Sequence, residues 1–173
     1  MKKLILSALV PIIALGIPSI AQAKTSVEAE AAIKTHCQDI KTVLDRIHRG
    51  DATMRVNRGQ FYESLLNNFL KNFNDRLAIN GFDNQKFQDI TEAFRMQLEQ
   101  FRADYSIHEV DLRHVIETDC RKHPDEFYEK LQTAQLSRII VDKDIENMNK
   151  TMSVYKQAVI DFKSVYKKLE SRE

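Results

Sequence analysis

Cys37 and Cys120 are the only cysteines in this 173-residue chain, and with His36 and His123 they form its richest set of reactive side chains. Three chemistries are open to such a set: dithiol exchange, metal binding, or a structural disulfide. No C-x-x-C is present, so a thioredoxin-like site lacks its motif. A Cys₂His₂ zinc centre would need His36 and Cys37 to reach one ion. On a helix these neighbours point ~100° apart, and oxidation would remove the thiolates that zinc needs. The expectation is therefore a staple. Closing a loop of about 82 residues stabilises by roughly 4 kcal/mol in the chain-entropy treatment.

A second constellation is Asp104, His108 and Asp111, spaced i, i+4 and i+7 on one helix face. Carboxylates flanking a histidine suit acid–base chemistry or a metal. They equally suit a core histidine whose ring is satisfied by its neighbours and by an Arg or Lys across the interface. Phe101 and Val115 continue the row of His108 at seven-residue spacing, which makes its position a core site first. The structural role is expected, so no catalytic residue, cofactor or metal is assigned. Were a metal bound, Asp104, His108, Asp111 and His123 would be its candidates. Phe61, Phe69, Phe73, Phe87, Phe94 and Phe101 could line an apolar cleft, but aromatics at helical spacing are expected to be core. P-loop, H-E-x-x-H, G-x-S-x-G and C-x-x-C-H motifs are all absent.

The elements that position these residues read as helices. Met1–Ala23 has the pattern of an export signal: Lys2 and Lys3, an apolar run from Leu4 to Ile20, and the cleavage site Ala21-Gln22-Ala23. The remaining Lys24–Glu173 keeps only Gly50, Gly59, Gly81 and Pro124 as breakers, so it must be mostly helix. Ile33, Cys37, Ile40, Leu44 and Ile47 step as a helix seam, continued at seven-residue spacing by Met54 and Phe61. Phe61, Leu65, Phe69, Phe73 and Leu77 follow, widened by Tyr62, Leu66 and Leu70, and Asn80-Gly81 closes the run. Asp83 is the expected N-cap of the next helix, which carries the rows Phe87, Phe94, Phe101, His108, Val115 and Thr91, Leu98, Tyr105, Leu112, Asp119 to about Cys120. Pro124 opens the last helix. Its rows are Phe127, Ala134, Val141, Met148, Tyr155, Phe162, Leu169 and Leu131, Arg138, Ile145, Met152, Val159, Tyr166. Only Arg138 breaks them, while Leu136, Ile139 and Ile140 lie off the seam.

The cysteines choose between topologies. Both lie ~55–65 Å from the Gly81 turn if the first two segments run in one direction. A reversal near Gly50–Gly59 would separate them beyond the ~7 Å between Cα atoms that a disulfide allows. The expected fold is an all-α, elongated antiparallel three-helix bundle with coiled-coil-like packing, its first helix kinked near Gly50–Gly59.

The chain resembles a family of uncharacterised secreted two-cysteine helical proteins from candidate-phylum bacteria such as Saccharibacteria. The resemblance rests on Cys37 with Ile40, Arg46 and Ile47; Leu77 with Gly81, Phe82 and Asp83; Asp104-Tyr105; and Cys120 with Pro124, Phe127 and Leu131. It implies a helical hairpin with a cysteine pair and brings no activity.

Charge bounds the partners. Net charge is +1, from 26 basic and 25 acidic residues. The leader holds two of the former and none of the latter, leaving −1 for residues 24–173. Such a chain has no bulk attraction to nucleic acid or anionic lipid, and no apolar run after Ala23 reaches the ~20 residues of a membrane span. The expectation is a non-catalytic periplasmic or secreted protein acting through an unidentified protein partner or as a spacer. The alternatives are a periplasmic chaperone or stress-adaptor bundle, and a metal-binding protein or metal-dependent enzyme using His108 or His123.

Overall fold

A computed structural model describes residues 26–170, with side chains to Lys167. The Met1–Ala23 leader, the Lys24 start, the Leu169 side chain and residues 171–173 lie outside the described residues. What is described is all-α, in three rods. The first joins α1 (Val27–Ser64), a π-helical stretch (Leu65–Lys71) and α2 (Asn72–Ile79) without interruption. The others are α3 (Gln85–Glu117) and α4 (Pro124–Glu170). At ~1.5 Å per residue they measure roughly 80, 50 and 70 Å.

The ends of the rods follow local chemistry. Ser26 caps α1, its Oγ accepting from the Ala29 N–H at 3.1 Å. The first rod stops at Gly81, whose φ is 74°. The Phe82 N–H donates to the Leu77 carbonyl and the Gly81 N–H to that of Ala78. This pair of bonds needs a left-handed residue, which glycine adopts freely. The cap of α3 is Asn84 rather than Asp83, although the Asp83 carboxylate still accepts the Gln85 N–H at 3.0 Å. α3 ends at Glu117, short of the expected Cys120, because Thr118 turns to extended backbone. Pro124 opens α4, with Asp125 and Glu126 in its first turn.

Cys37 and Cys120 meet as the sequence predicts. Their Cα atoms stand 5.6 Å apart with the sulfurs at disulfide distance. This pins the start of the first rod beside the α3–α4 turn and makes the rod antiparallel to α3. α3 packs most extensively on α4, the first rod packs on α3, and α1 touches α4 only sparsely.

The rows of α3 are buried from Phe87 to Val115, as are Phe127, Ala134, Val141, Met148 and Tyr155 of α4. The first rod departs from its predicted seam. Phe61 and Phe69 are 61% and 70% exposed, whereas Tyr62, Leu66, Leu70 and Leu77 are buried. Ile47 and Met54 also face outward. The physical reason is that this rod has one main neighbour, α3, so only one narrow row is covered. Helical hydrogen bonding also runs through Gly50 and Gly59; a glycine weakens a helix by only ~1 kcal/mol relative to Ala. The departure from α geometry falls at Leu65–Lys71 instead.

That π turn serves the core near the Gly81 end. It brings Asn74 inward, where its side chain donates to Thr91 Oγ1 at 2.8 Å and accepts from the Tyr155 hydroxyl at 2.8 Å. Around this knot the rings of Phe73, Phe87, Tyr155 and Phe162 meet edge to face, a favoured geometry for aromatic packing. The phenylalanines there are core, apart from the exposed Phe61 and Phe69.

Candidate functional site

The bundle has two apolar cores, one around the aromatic knot and one around the cysteines. Between them lies a polar layer built from one residue of each rod. Asp51 stands seven residues after Leu44 and fourteen after Cys37, on the buried face of α1. His108 occupies its expected seam position on α3, and Arg138 is the residue that breaks the row of α4. Asp51 Oδ1 accepts from Arg138 Nη1 at 2.7 Å, and Asp51 Oδ2 lies 3.4 Å from His108 Nε2. His108 Nδ1 lies 3.2 Å from Ser137 Oγ, which itself donates to the Ala134 carbonyl. The Tyr105 hydroxyl donates to the backbone carbonyl of Asp51 at 2.7 Å. Burial, reinforced by the charge of Asp51, pushes the Tyr105 pKa up to about 12. Burial opposes the charge on Arg138, but the hydrogen bond and charge of Asp51 outweigh it and raise the pKa.

The order Asp51–His108–Ser137 has the connectivity of an acid–base–nucleophile relay. Its surroundings differ from one. Ser137 is buried in the middle of α4 and does not line the adjacent groove. The amides around it belong to a continuous α-helix, where they are committed to carbonyls four residues back and cannot form an oxyanion hole. What the layer does physically is pair every member across three helices, which fixes their register.

Beside the layer lies a groove of about 600 Å³. Leu44 and Ile47 form one wall, Leu131 and Ile139 the other, Leu112 lies on the floor, and Asp51, His108 and Arg138 close one end. A smaller hollow continues it past Ile40 and Val43. The groove exists because α1 is tied down at two levels, by the disulfide and by Asp51, while between them α4 offers small Ala134 and polar Gln135. The outward face of α4 beside the groove carries Leu136 and Ile139, 63% and 62% exposed.

The other predicted residues are dispersed. Asp104 accepts from Gln100 and faces Asp144 rather than His108. Burial and the adjoining Asp104 carboxyl raise the Asp144 pKa to about 6. Asp111 is half-buried and His123 exposed. The backbone of His123 joins the α3–α4 turn to α4, with its N–H on the Asp119 carbonyl and its own carbonyl on the Phe127 N–H. His36 lies near Asp39 on the surface. Among the described residues no three His, Cys, Asp or Glu side chains are grouped to hold a metal, and no helix is long and apolar enough to cross a membrane. Sequence reasoning missed Asp51, Ser137, Asn74 and Thr91's partnership with it. The available signal was that Asp51, His108 and Arg138 are each a polar residue at seam spacing, one per rod.

No protein-family model, curated protein or solved structure matches this chain.

Proposed function

We propose that this is a non-catalytic extracytoplasmic protein that acts through protein contacts, and that the groove and the α4 face beside it make them. The carrying observation is the exposure of Leu136 and Ile139 next to an apolar groove whose far wall is Ile47. Contiguous apolar surface of this kind marks interaction sites. A helix laid in the groove would complete a four-helix arrangement, the usual way for such a face to leave water. The extracytoplasmic placement is supported by the leader pattern of residues 1–23 and by a cysteine pair at bonding distance, which persists in oxidising compartments.

The test is a variant carrying Leu136→Glu and Ile139→Glu. Both sites are exposed, so the melting temperature should stay close to the parent's. Chemical cross-linking in the native envelope should yield an adduct with the parent and none with the variant. An adduct of equal yield from both would refute the assignment of the face.

The chaperone reading draws on the same exposed residues, since the groove is concave. It requires that the parent suppress aggregation of unrelated unfolded proteins and that the double variant not do so. A contact protein shows no such suppression.

A further inference from the structure

We infer that the groove between α1 and α4 binds one uncharged acyl lipid of about twelve carbons, its chain along the apolar walls and its carbonyl or hydroxyl head at Arg138. This goes beyond the contact reading. The lipid occupies the groove itself, whereas the exposed Leu136 does not line it.

The lining selects an aliphatic chain. Leu44, Ile47, Leu112, Leu131, Ala134 and Ile139 face a space of about 600 Å³. That size is usual for small-molecule sites, which are mostly apolar with a few placed polar groups. From the polar end at Asp51 to Ile40 in the adjoining hollow, the groove follows α1 for eleven positions, 51 minus 40. At ~1.5 Å per residue this is roughly 16 Å. An extended alkyl chain advances ~1.25 Å per carbon, from C–C bonds of about 1.5 Å meeting at about 111°. About thirteen carbons therefore span the groove. Among the described residues, the hollows beside Arg102 and beside His123 are lined mainly by polar and charged side chains instead.

The closed end selects the head group. Both ring nitrogens of His108 and both carboxylate oxygens of Asp51 have partners within the layer. Arg138 does not use all of its N–H donors. Its Nη1 donates to Asp51 at 2.7 Å and its Nε lies 3.4 Å from Asp142, while Nη2 has no partner among the described residues. The spare donors call for an acceptor. Asp51 and Asp142 already set two carboxylates around the single positive charge of Arg138, so a carboxylate or phosphate head meets net repulsion. An ammonium head brings no acceptor and leaves the spare donors unpaired. An ester carbonyl or a hydroxyl accepts from Nη2 without adding charge.

The test is isothermal titration calorimetry of the oxidised protein, after leader removal, with monolauroylglycerol below its aggregation concentration. One lipid should bind per chain. Laurate and dodecyltrimethylammonium, which carry a chain of the same length, should bind at least about fivefold more weakly. Among monoacylglycerols of increasing length, affinity should rise about two- to fourfold per methylene and level off beyond about fourteen carbons. Ile47→Glu and, separately, Ile139→Glu put a charge into an exposed part of a wall. Each should lower affinity at least about tenfold with a melting temperature near the parent's, whereas Leu136→Glu should bind as the parent does. Asp142→Asn should raise the affinity for laurate about threefold and leave that for monolauroylglycerol unchanged. No binding, or equal or tighter binding of laurate or of the ammonium, overturns the inference. So does an affinity unmoved by both wall variants, lowered equally by Leu136→Glu, or, for laurate, unmoved by Asp142→Asn. Affinity that keeps rising with chain length, or co-flotation of the protein with phosphatidylcholine vesicles, would mark a surface for aggregated lipid and also overturns it. If the lipid binds as stated and the Leu136→Glu, Ile139→Glu variant keeps its envelope adduct, the contact reading falls and the lipid site stands. If no lipid binds and that adduct is lost, the lipid site falls and the contact reading stands.

Discussion

Replacing Asp51 with alanine should destabilise the bundle far more than replacing His108 with leucine, although both are buried polar residues of one layer. Asp51→Ala removes the 2.7 Å bond to Arg138 and the 3.4 Å approach to His108. A charge-assisted hydrogen bond contributes about 1.5–3 kcal/mol, and an orphaned buried charge can cost 3–5 kcal/mol. Arg138 is not fully orphaned. Its side chain is one-third exposed and also reaches Asp142 at 3.4 Å, so the loss should settle near 2 kcal/mol. The Tyr105 bond survives, because it ends on the backbone carbonyl of residue 51. His108→Leu leaves the Asp51–Arg138 pair intact, removes only the long 3.4 Å contact from the other Asp51 oxygen, and frees Ser137, which keeps its bond to Ala134. The gain in apolar burial offsets most of what is lost, so the change should fall within about 1 kcal/mol. For a chain of this size 1 kcal/mol moves the melting temperature by about 2–4 °C. Thermal melts of the oxidised proteins should show Asp51→Ala lower by about 4–8 °C and His108→Leu near the parent. Equal losses, or a larger loss for His108→Leu, would refute the reasoning that Asp51 is the hub. Stoichiometric metal in the parent that disappears in His108→Leu would overturn the structural role of the histidine.

Other consequences are equally measurable. Replacing Cys37 and Cys120 by serine should cost roughly 4 kcal/mol, and non-reducing peptide mapping of the parent should find one linked pair; two free thiols would refute the staple. The raised pKa of Asp144 means that the folded chain holds its proton more tightly than the unfolded chain does. Its stabilising contribution is therefore full below pH 3.8 and lost as pH rises through about 6. Partial exposure screens this to the order of 1 kcal/mol. Asp144→Asn should flatten the melting temperature between pH 4 and 7, and an unchanged slope would assign that pH dependence to other groups.

The parts of the fold that read clearly from sequence are those where a helix is covered along its length. α3 lies between the first rod and α4, so its row from Phe87 to Val115 is buried without exception and its period is unambiguous. The first rod has essentially one neighbour, and its sequence offers two adjacent apolar rows. Periodicity cannot say which row meets α3, and Phe61 and Phe69 belong to the row that does not. The cysteine pair was decisive for topology because it is a distance constraint, which a hydrophobic pattern is not. Asp51 escaped notice because the seam of α1 was followed through Ile47 and Met54, which face outward, past the buried position seven residues after Leu44. The π turn has no periodic signature; it becomes intelligible only once Tyr155 and Thr91 are seen to need Asn74. Leu136, Ile139 and Ile140 were legible as off-seam residues, and the face they mark depended on knowing that α1 stands away from α4.

The central claim, that the protein makes its contacts through the α1–α4 face, is tested most directly by a photo-activatable residue placed at Leu136 or, separately, at Ile160. Both are exposed apolar positions on α4, so they differ in location and not in character. Irradiation in intact cells should produce a discrete adduct from position 136 and none from position 160. The same adducts from both positions, or none from 136, would contradict the account.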